Sequence, residues 1–222
     1  MTLVLVLMII VVFLAIDLFY QKIKTNKTIL DSENSLIKNI RSFNFHNLII
    51  PKNHFHSPGH TAFTISDSGN LLIGMDDFAR NFLGEIKSIT PSTQGEVKRG
   101  KTLFSVKTEA GEFNFNSPVS GAIVKFNESI EKDIDSSFNS SNNNWICIVT
   151  PNKLAEEIKT TRIAEEAEEW LKNEITRLKD FLGINNSTPA TASLYDGGEI
   201  LVGVSRELNK DQLNKFQNEF LA

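Results

Sequence analysis

The chain has 222 residues, with 23 basic and 27 acidic side chains and a formal net charge of −4 at pH 7. That length suffices for one well-buried domain with appendages, and the slightly acidic balance excludes a protein that grips nucleic acid on a clustered basic face. The single cysteine, Cys147, excludes an intramolecular disulfide. It stands in the apolar run Trp145–Val149 and reads as a buried core thiol, not a nucleophile or ligand.

Thr2–Tyr20 is apolar, with no charge before Asp17. At a rise of about 1.5 Å per residue this stretch spans about 28 Å, close to the hydrocarbon thickness of a bilayer. A cleaved signal peptide would want a basic n-region and a small-residue cleavage site, and the sequence offers neither. Residues 1–20 therefore read as a transmembrane anchor that meets membrane lipid through residues 2–20. Lys22, Lys24 and Lys27 follow it and no basic residue precedes it. The positive-inside rule then predicts a single pass of the inner (cytoplasmic) membrane, N-terminus out, with the soluble domain in the cytoplasm. Residues 21–50 read as a polar juxtamembrane segment that ends in a weakly alternating first strand, Ser42–Ile50.

From Pro51 the pattern becomes short strands separated by turn residues: Thr61–Ser66, Leu71–Gly74, Glu85–Thr90, Thr102–Val106, Phe113–Asn116, Gly121–Asn127 and Trp145–Thr150. Asp67-Ser68-Gly69-Asn70 has hairpin chemistry. Met75–Leu83 reads as a short amphipathic helix, with Asp76 and Asp77 favoured in its first turn by the helix dipole. Residues 128–144 are a Ser/Asn-rich loop. Asn152–Leu182 predicts one long helix, its apolar positions mostly three and four apart. Glu165, Glu166, Glu168 and Glu169 form a solvated acidic face on it. A final helix is predicted with Asn209 as N-cap, Gln212 three residues on and an apolar stripe of Leu213, Phe216, Phe220 and Leu221. The stripe needs either the domain itself or a partner to cover it. The segments are thus 1–20, 21–50, 51–151, 152–183 and 184–222. The class is α+β with a mostly β core, a small sandwich or flattened barrel.

The stretch that organises this core is Gly100–Gly121, two apolar strands around a turn at Ala110-Gly111. Glu109 and Glu112 flank the turn and read as solvated. His54, His56 and His60 crowd the sequence before the first hairpin. Neighbouring imidazoles can bind a transition metal, but no acidic or thiol ligand stands beside them and Pro58-Gly59 makes a turn. They read as surface or turn histidines, with no metal expected. No nucleophile is paired with a positioned base, so no enzyme activity is expected.

Residues 60–150 resemble the H protein of the glycine cleavage system, a lipoyl-bearing carrier. The matching pieces are His60-Thr61-Ala62-Phe63, Leu72–Ala79, Leu83-Gly84-Glu85-Ile86, Gly95-Glu96-Val97 with Gly100, Ser117–Gly121, Asn127-Glu128-Ser129, and Trp145 leading to Thr150-Pro151. The resemblance implies a barrel-sandwich hybrid of the lipoyl/biotinyl-carrier kind. It also implies a lipoyl lysine at the hairpin tip, ten positions after the glycine matching Gly100 and eight before the proline matching Pro118. That position is Ala110, whose methyl cannot form the amide. The chain therefore resembles non-lipoylated, membrane-tethered bacterial members of this kind: an adaptor or accessory subunit with no cofactor, reaching a protein partner through the tip 107–112 or the C-terminal helix 209–221. The alternative is a lipoyl carrier with a displaced attachment lysine, Lys107, in the triplet Ser105-Val106-Lys107. The strand alternation sets that residue on the ascending strand.

Overall fold

The computed structural model describes residues 42–43, 45–128, 130, 145–184, 194–195 and 199–222. The expected anchor, most of the juxtamembrane segment and most of the Ser/Asn-rich loop lie outside these residues. Among the described residues no helix is long and apolar enough to cross a membrane.

The first strand is shorter than its alternation suggested. β1 is Ser42–Phe43 and gives way to a 3-10 turn at Phe45–Asn47. The backbone N–H of Leu48 closes that turn on the Phe45 carbonyl at 3.3 Å, and the N–H of Ile49 donates to Asp77 Oδ2 at 2.9 Å. The backbone here is thus claimed by a turn and a side chain, not by a neighbouring strand. β2 (Phe55–His56), β3 (Thr61–Ile65) and β4 (Leu71–Met75) then form a meander. The turn between β3 and β4 carries Gly69 at φ 80°, in the left-handed region that glycine enters freely.

Helix α1 (Asp77–Leu83) starts two residues later than the predicted Met75, because Asp76 is its N-cap: the Ala79 N–H donates to the Asp76 side chain. β5 (Ile86–Pro91), β7 (Thr102–Thr108) and β8 (Glu112–Asn116) make a three-stranded sheet with β7 in the middle. The polar stretch after β5 contains one short strand, β6 (Glu96–Val97). It edges a seven-stranded sheet that also includes β9 (Gly121–Phe126) and β10 (Cys147–Pro151). The core runs continuously between the two sheets through Phe63, Leu71, Ile73, Phe104, Phe115 and Val149, each buried from solvent. Cys147 is fully buried among them, and burial pushes its thiol pKa up to about 12.

The long helix expected over Asn152–Leu182 is interrupted. One helical turn, α2 (Leu154–Glu157), and a 3-10 turn lead into β11 (Arg162–Ile163). Only then does α3 (Ala164–Ile184) begin. The cause is tertiary. Arg162 pairs with His56 and Ile163 with Phe55, so this segment joins the edge of the large sheet, and Ala164 turns the chain into the helix at φ 51°. β12 (Leu194–Tyr195) and β13 (Glu199–Leu201) pair with each other, and β13 also pairs with β1. α4 (Lys210–Phe220) opens with the predicted capping box of Asn209 and Gln212. The fold is thus a mostly β core of barrel-sandwich type with helices packed around it.

Candidate functional site

The hairpin of β7 and β8 is built by alternation. Phe104 faces Phe115 and Val106 faces Phe113 across the strands, and all four are buried. A period of two sends Ser105 and Lys107, with their partners Asn114 and Glu112, to the other face. There Ser105 Oγ donates to Asn114 Oδ1 at 2.7 Å. The turn is closed by the Thr108 N–H on the Gly111 carbonyl at 2.8 Å and stiffened by the Ala110 N–H on Thr108 Oγ1 at 3.2 Å. Glu109 and Ala110 are therefore the two tip residues. Glu109 is exposed, whereas Ala110 is half-buried against the core. Neither bears an amine, so the tip does not fit a lipoyl group held by an amide. Lys107 lies on β7 with its side chain exposed, opposite Glu112 in the last cross-strand pair before the turn.

The outer edge of β8 is occupied. Gln217 of α4 turns its side-chain amide to Asn114, accepting from the Asn114 N–H at 2.9 Å and donating to the Asn114 carbonyl at 2.9 Å. This satisfies the edge strand as a neighbouring strand would. Beside it Phe216 stacks on Phe82 with ring centres 3.6 Å apart, and Phe82 meets Phe113 edge-on at 6.3 Å. The apolar stripe of α4 is thus covered by the domain: Phe216, Phe220 and Leu221 are all buried. A partner approaching 209–221 would meet only the polar side of this helix.

The histidines depart from expectation. His54 is half-buried, donates from Nδ1 to Asn53 Oδ1 at 3.2 Å, and is lowered to a pKa of about 4 by burial and by the charge of His56. His56 and His60 are not surface residues; both are buried. The turn at Pro58-Gly59 folds inward because the His60 N–H bonds to the Ser57 carbonyl and the His60 carbonyl accepts from the Asp76 N–H. His60 takes a left-handed φ of 57° to do so. Its Nδ1 donates to Asp76 Oδ2 at 2.7 Å, and its Nε2 lies 3.7 Å from Glu174 Oε2 on α3. Acidic partners absent from the neighbouring sequence are therefore supplied by α1's cap and by a distant helix. Among the described residues, no group of three or more histidine, cysteine or carboxylate side chains is arranged to hold a metal ion.

Burial alone would lower the pKa of His60, but the Asp76 charge and hydrogen bond, with Glu174 beyond, raise it. The same pairing holds the Asp76 carboxyl below its usual range against the burial that would raise it. Sequence reading missed Asp76, Trp170 and Glu174 as partners of His60. The one local signal was the pair Asp76-Asp77, of which only the first serves as N-cap.

The family described as Glycine cleavage H-protein matches residues 56–174, a span that takes in the hairpin and the His60 cluster. The "Probable glycine cleavage system H protein" of Pyrococcus abyssi (strain GE5 / Orsay) is 29% identical over 120 residues, covering 54% of this chain and 90% of that protein. The "Glycine cleavage system H protein" of Listeria welshimeri serovar 6b is 29% identical over 85 residues, covering 38% and 67%. Among solved structures, a glycine cleavage system H protein from Mycobacterium marinum aligns with a TM-score of 0.42 at 21% identity, over 46% of this chain and 87% of that one.

Proposed function

The chain belongs to the glycine cleavage H-protein family, and from that premise we propose that it is a member without the carrier arm. It is a non-catalytic, non-lipoylated module, tethered to the cytoplasmic membrane by residues 2–20, that serves as adaptor or accessory subunit of a membrane-associated complex. The observation that carries this reading is Ala110. The hairpin is complete, its strands are in register and its turn is closed, yet the tip offers a methyl group packed against the core. A swinging arm needs an exposed amine there. What the module presents instead is the tip 107–112, with Lys107, Glu109 and Glu112 exposed. Such a polar, rigid surface suits recognition by a protein partner.

The experiment is affinity capture of the full chain from detergent-solubilised membranes, followed by a charge reversal at the tip, Glu109→Lys with Glu112→Lys. The expected outcome is a defined set of co-purifying proteins that is lost from the variant. Recovery of the chain alone, or of the same set from both, would contradict the reading.

A second reading keeps the carrier role and places the lipoyl group on Lys107. It is favoured by one observation: Lys107 is exposed and occupies the last strand pair before the turn. Intact mass separates the two readings.

A further inference from the structure

The turn Ser57–His60 is one point at which both C-terminal helices meet the β core. α3 brings Trp170 and Glu174 to His60. α4 brings its last residues to Gly59, where an added Cβ would lie 3.2 Å from the Leu221 carbonyl oxygen. His60 itself is sandwiched between two aromatic faces, Phe78 of α1 at 4.1 Å with 12° between planes, and Trp170 of α3 at 5.0 Å with 27°. Carboxylates stand at both ring nitrogens. This is an aromatic cage with an anion at each end, the environment that selects a cation.

The charge state of the ring decides whether this contact holds. A neutral imidazole that gives its Nδ1 proton to Asp76 turns the Nε2 lone pair toward Glu174 Oε2 at 3.7 Å, a repulsive contact between two buried acceptors. An imidazolium carries N–H groups at both ends and meets both carboxylates. We infer that His60 is a proton-operated latch: its imidazolium pins α3, and with it α4, to the β core, and loss of the proton releases both helices.

The groups facing the latch support this. Among the described residues, the buried side-chain polar atoms without a hydrogen-bond partner are His56 Nδ1 and Nε2, His60 Nε2, Arg162 Nη1 and Glu174 Oε2. All belong to this one cluster. His56 on β2 has its Nδ1 3.7 Å from Asp76 Oδ2. Arg162 on β11 pairs with His56 across the strands and lies over the Trp170 ring at 5.0 Å. Glu174 is also bonded to Arg177 on α3 at 2.9 Å, and Arg177 stacks over Phe220 of α4 at 4.1 Å. A route of direct contacts therefore runs from the His60 ring through Glu174 and Arg177 to α4.

The sign of the effect follows from linkage. A histidine whose pKa is raised by folding contributes stability that is complete below about pH 6.5, its unfolded value, and is lost as pH rises through the folded value. Asp76, with its pKa lowered by folding, contributes above its unfolded value of 3.8 and is lost as pH falls below it. His54 acts in the opposite sense to His60 between pH 6.5 and about 4, since its pKa is lowered. Comparison with a His60→Gln chain cancels the His54 contribution.

The test is hydrogen–deuterium exchange of the full chain in detergent from pH 6 to 10, corrected for intrinsic base catalysis, on wild type and His60→Gln. In wild type the protection of 164–184 and 210–220 should fall with rising pH, by up to tenfold per pH unit above the folded pKa of His60, while β7, the middle strand of its sheet, stays protected. In His60→Gln that alkaline arm should be absent. An alkaline arm of equal size in both proteins, or none in wild type, would overturn the latch. Should the variant fail to fold, the ring nitrogens of His60 in wild type decide. Nitrogen shifts of a doubly protonated ring at pH 7 support the latch, and those of a neutral tautomer overturn it.

Discussion

Replacing Ala110 by lysine should turn this chain into a substrate for lipoate attachment. The expected product, when the variant is made in cells that lipoylate H proteins, is one lipoyl group per chain, bonded to the new amine. The reason lies in how much of the hairpin is already in place. The core pairs Phe104–Phe115 and Val106–Phe113 fix the strands, and the Thr108–Gly111 bond closes the turn. Position 110 sits at the tip whether counted from Gly100 or from Pro118. Only its side chain is wrong for the chemistry. Ala110 is half-buried against the core, so a lysine stem can lie along the same apolar surface while its ammonium reaches solvent. Mass spectrometry of tryptic peptides locates the adduct. A lipoyl group at residue 110, with Lys107 unmodified, is the expected pattern. An unmodified variant would mean that the surface around the tip has lost what the attaching enzyme reads, and the likeness to the family would then end at the fold.

The second large effect is structural. Gly121→Ala should destabilise the domain by about 3 kcal/mol. Gly121 opens β9 and lies between two strands, paired with Pro151 on β10 and with Val97 on β6. A Cβ there would fall 2.2 Å from the Thr150 carbonyl oxygen and 2.9 Å from the Pro151 Cα. Both are backbone atoms of a paired strand, so no side chain can swing aside. Either β9 shifts away from β10 or the pairing at its start is lost. For a domain of this size the cost corresponds to a melting point roughly 10 °C lower. Thermal unfolding followed by near-UV circular dichroism of the two proteins side by side checks it. A melting point within a degree or two of wild type would mean that the close approach of the two strands does not constrain the domain.

Local chemistry made much of this fold readable. The Asp67–Asn70 turn announced the β3–β4 hairpin, and Asn209 with Gln212 announced the start of α4, because capping and turn preferences act within a few residues. The two strands of the central hairpin followed from their alternation. The interruption before α3 left only a faint trace in the sequence. Ile158 and Ile163 are five apart, a lapse in the helical spacing, and what breaks the helix there is pairing of Arg162 with His56, a contact between segments far apart in the chain. The tip of the candidate site was located by counting, since Gly100 and Pro118 bracket it. The histidine cluster was misread for the same reason as the helix. Glu174 follows a run of glutamates that read as a solvated face, and nothing local reveals that Trp170 and Glu174 turn toward His60. Sequence pattern reports a residue's own element well; it is silent on which distant element will meet it.

We propose that this H-protein-family chain keeps the hairpin and lacks the arm. Intact-mass spectrometry of the full chain, isolated from cells that make it and supply lipoate, tests this most directly. The expected result is a single mass with no lipoyl increment. A lipoylated species, with the group on Lys107 after peptide mapping, would contradict it and make the chain a carrier.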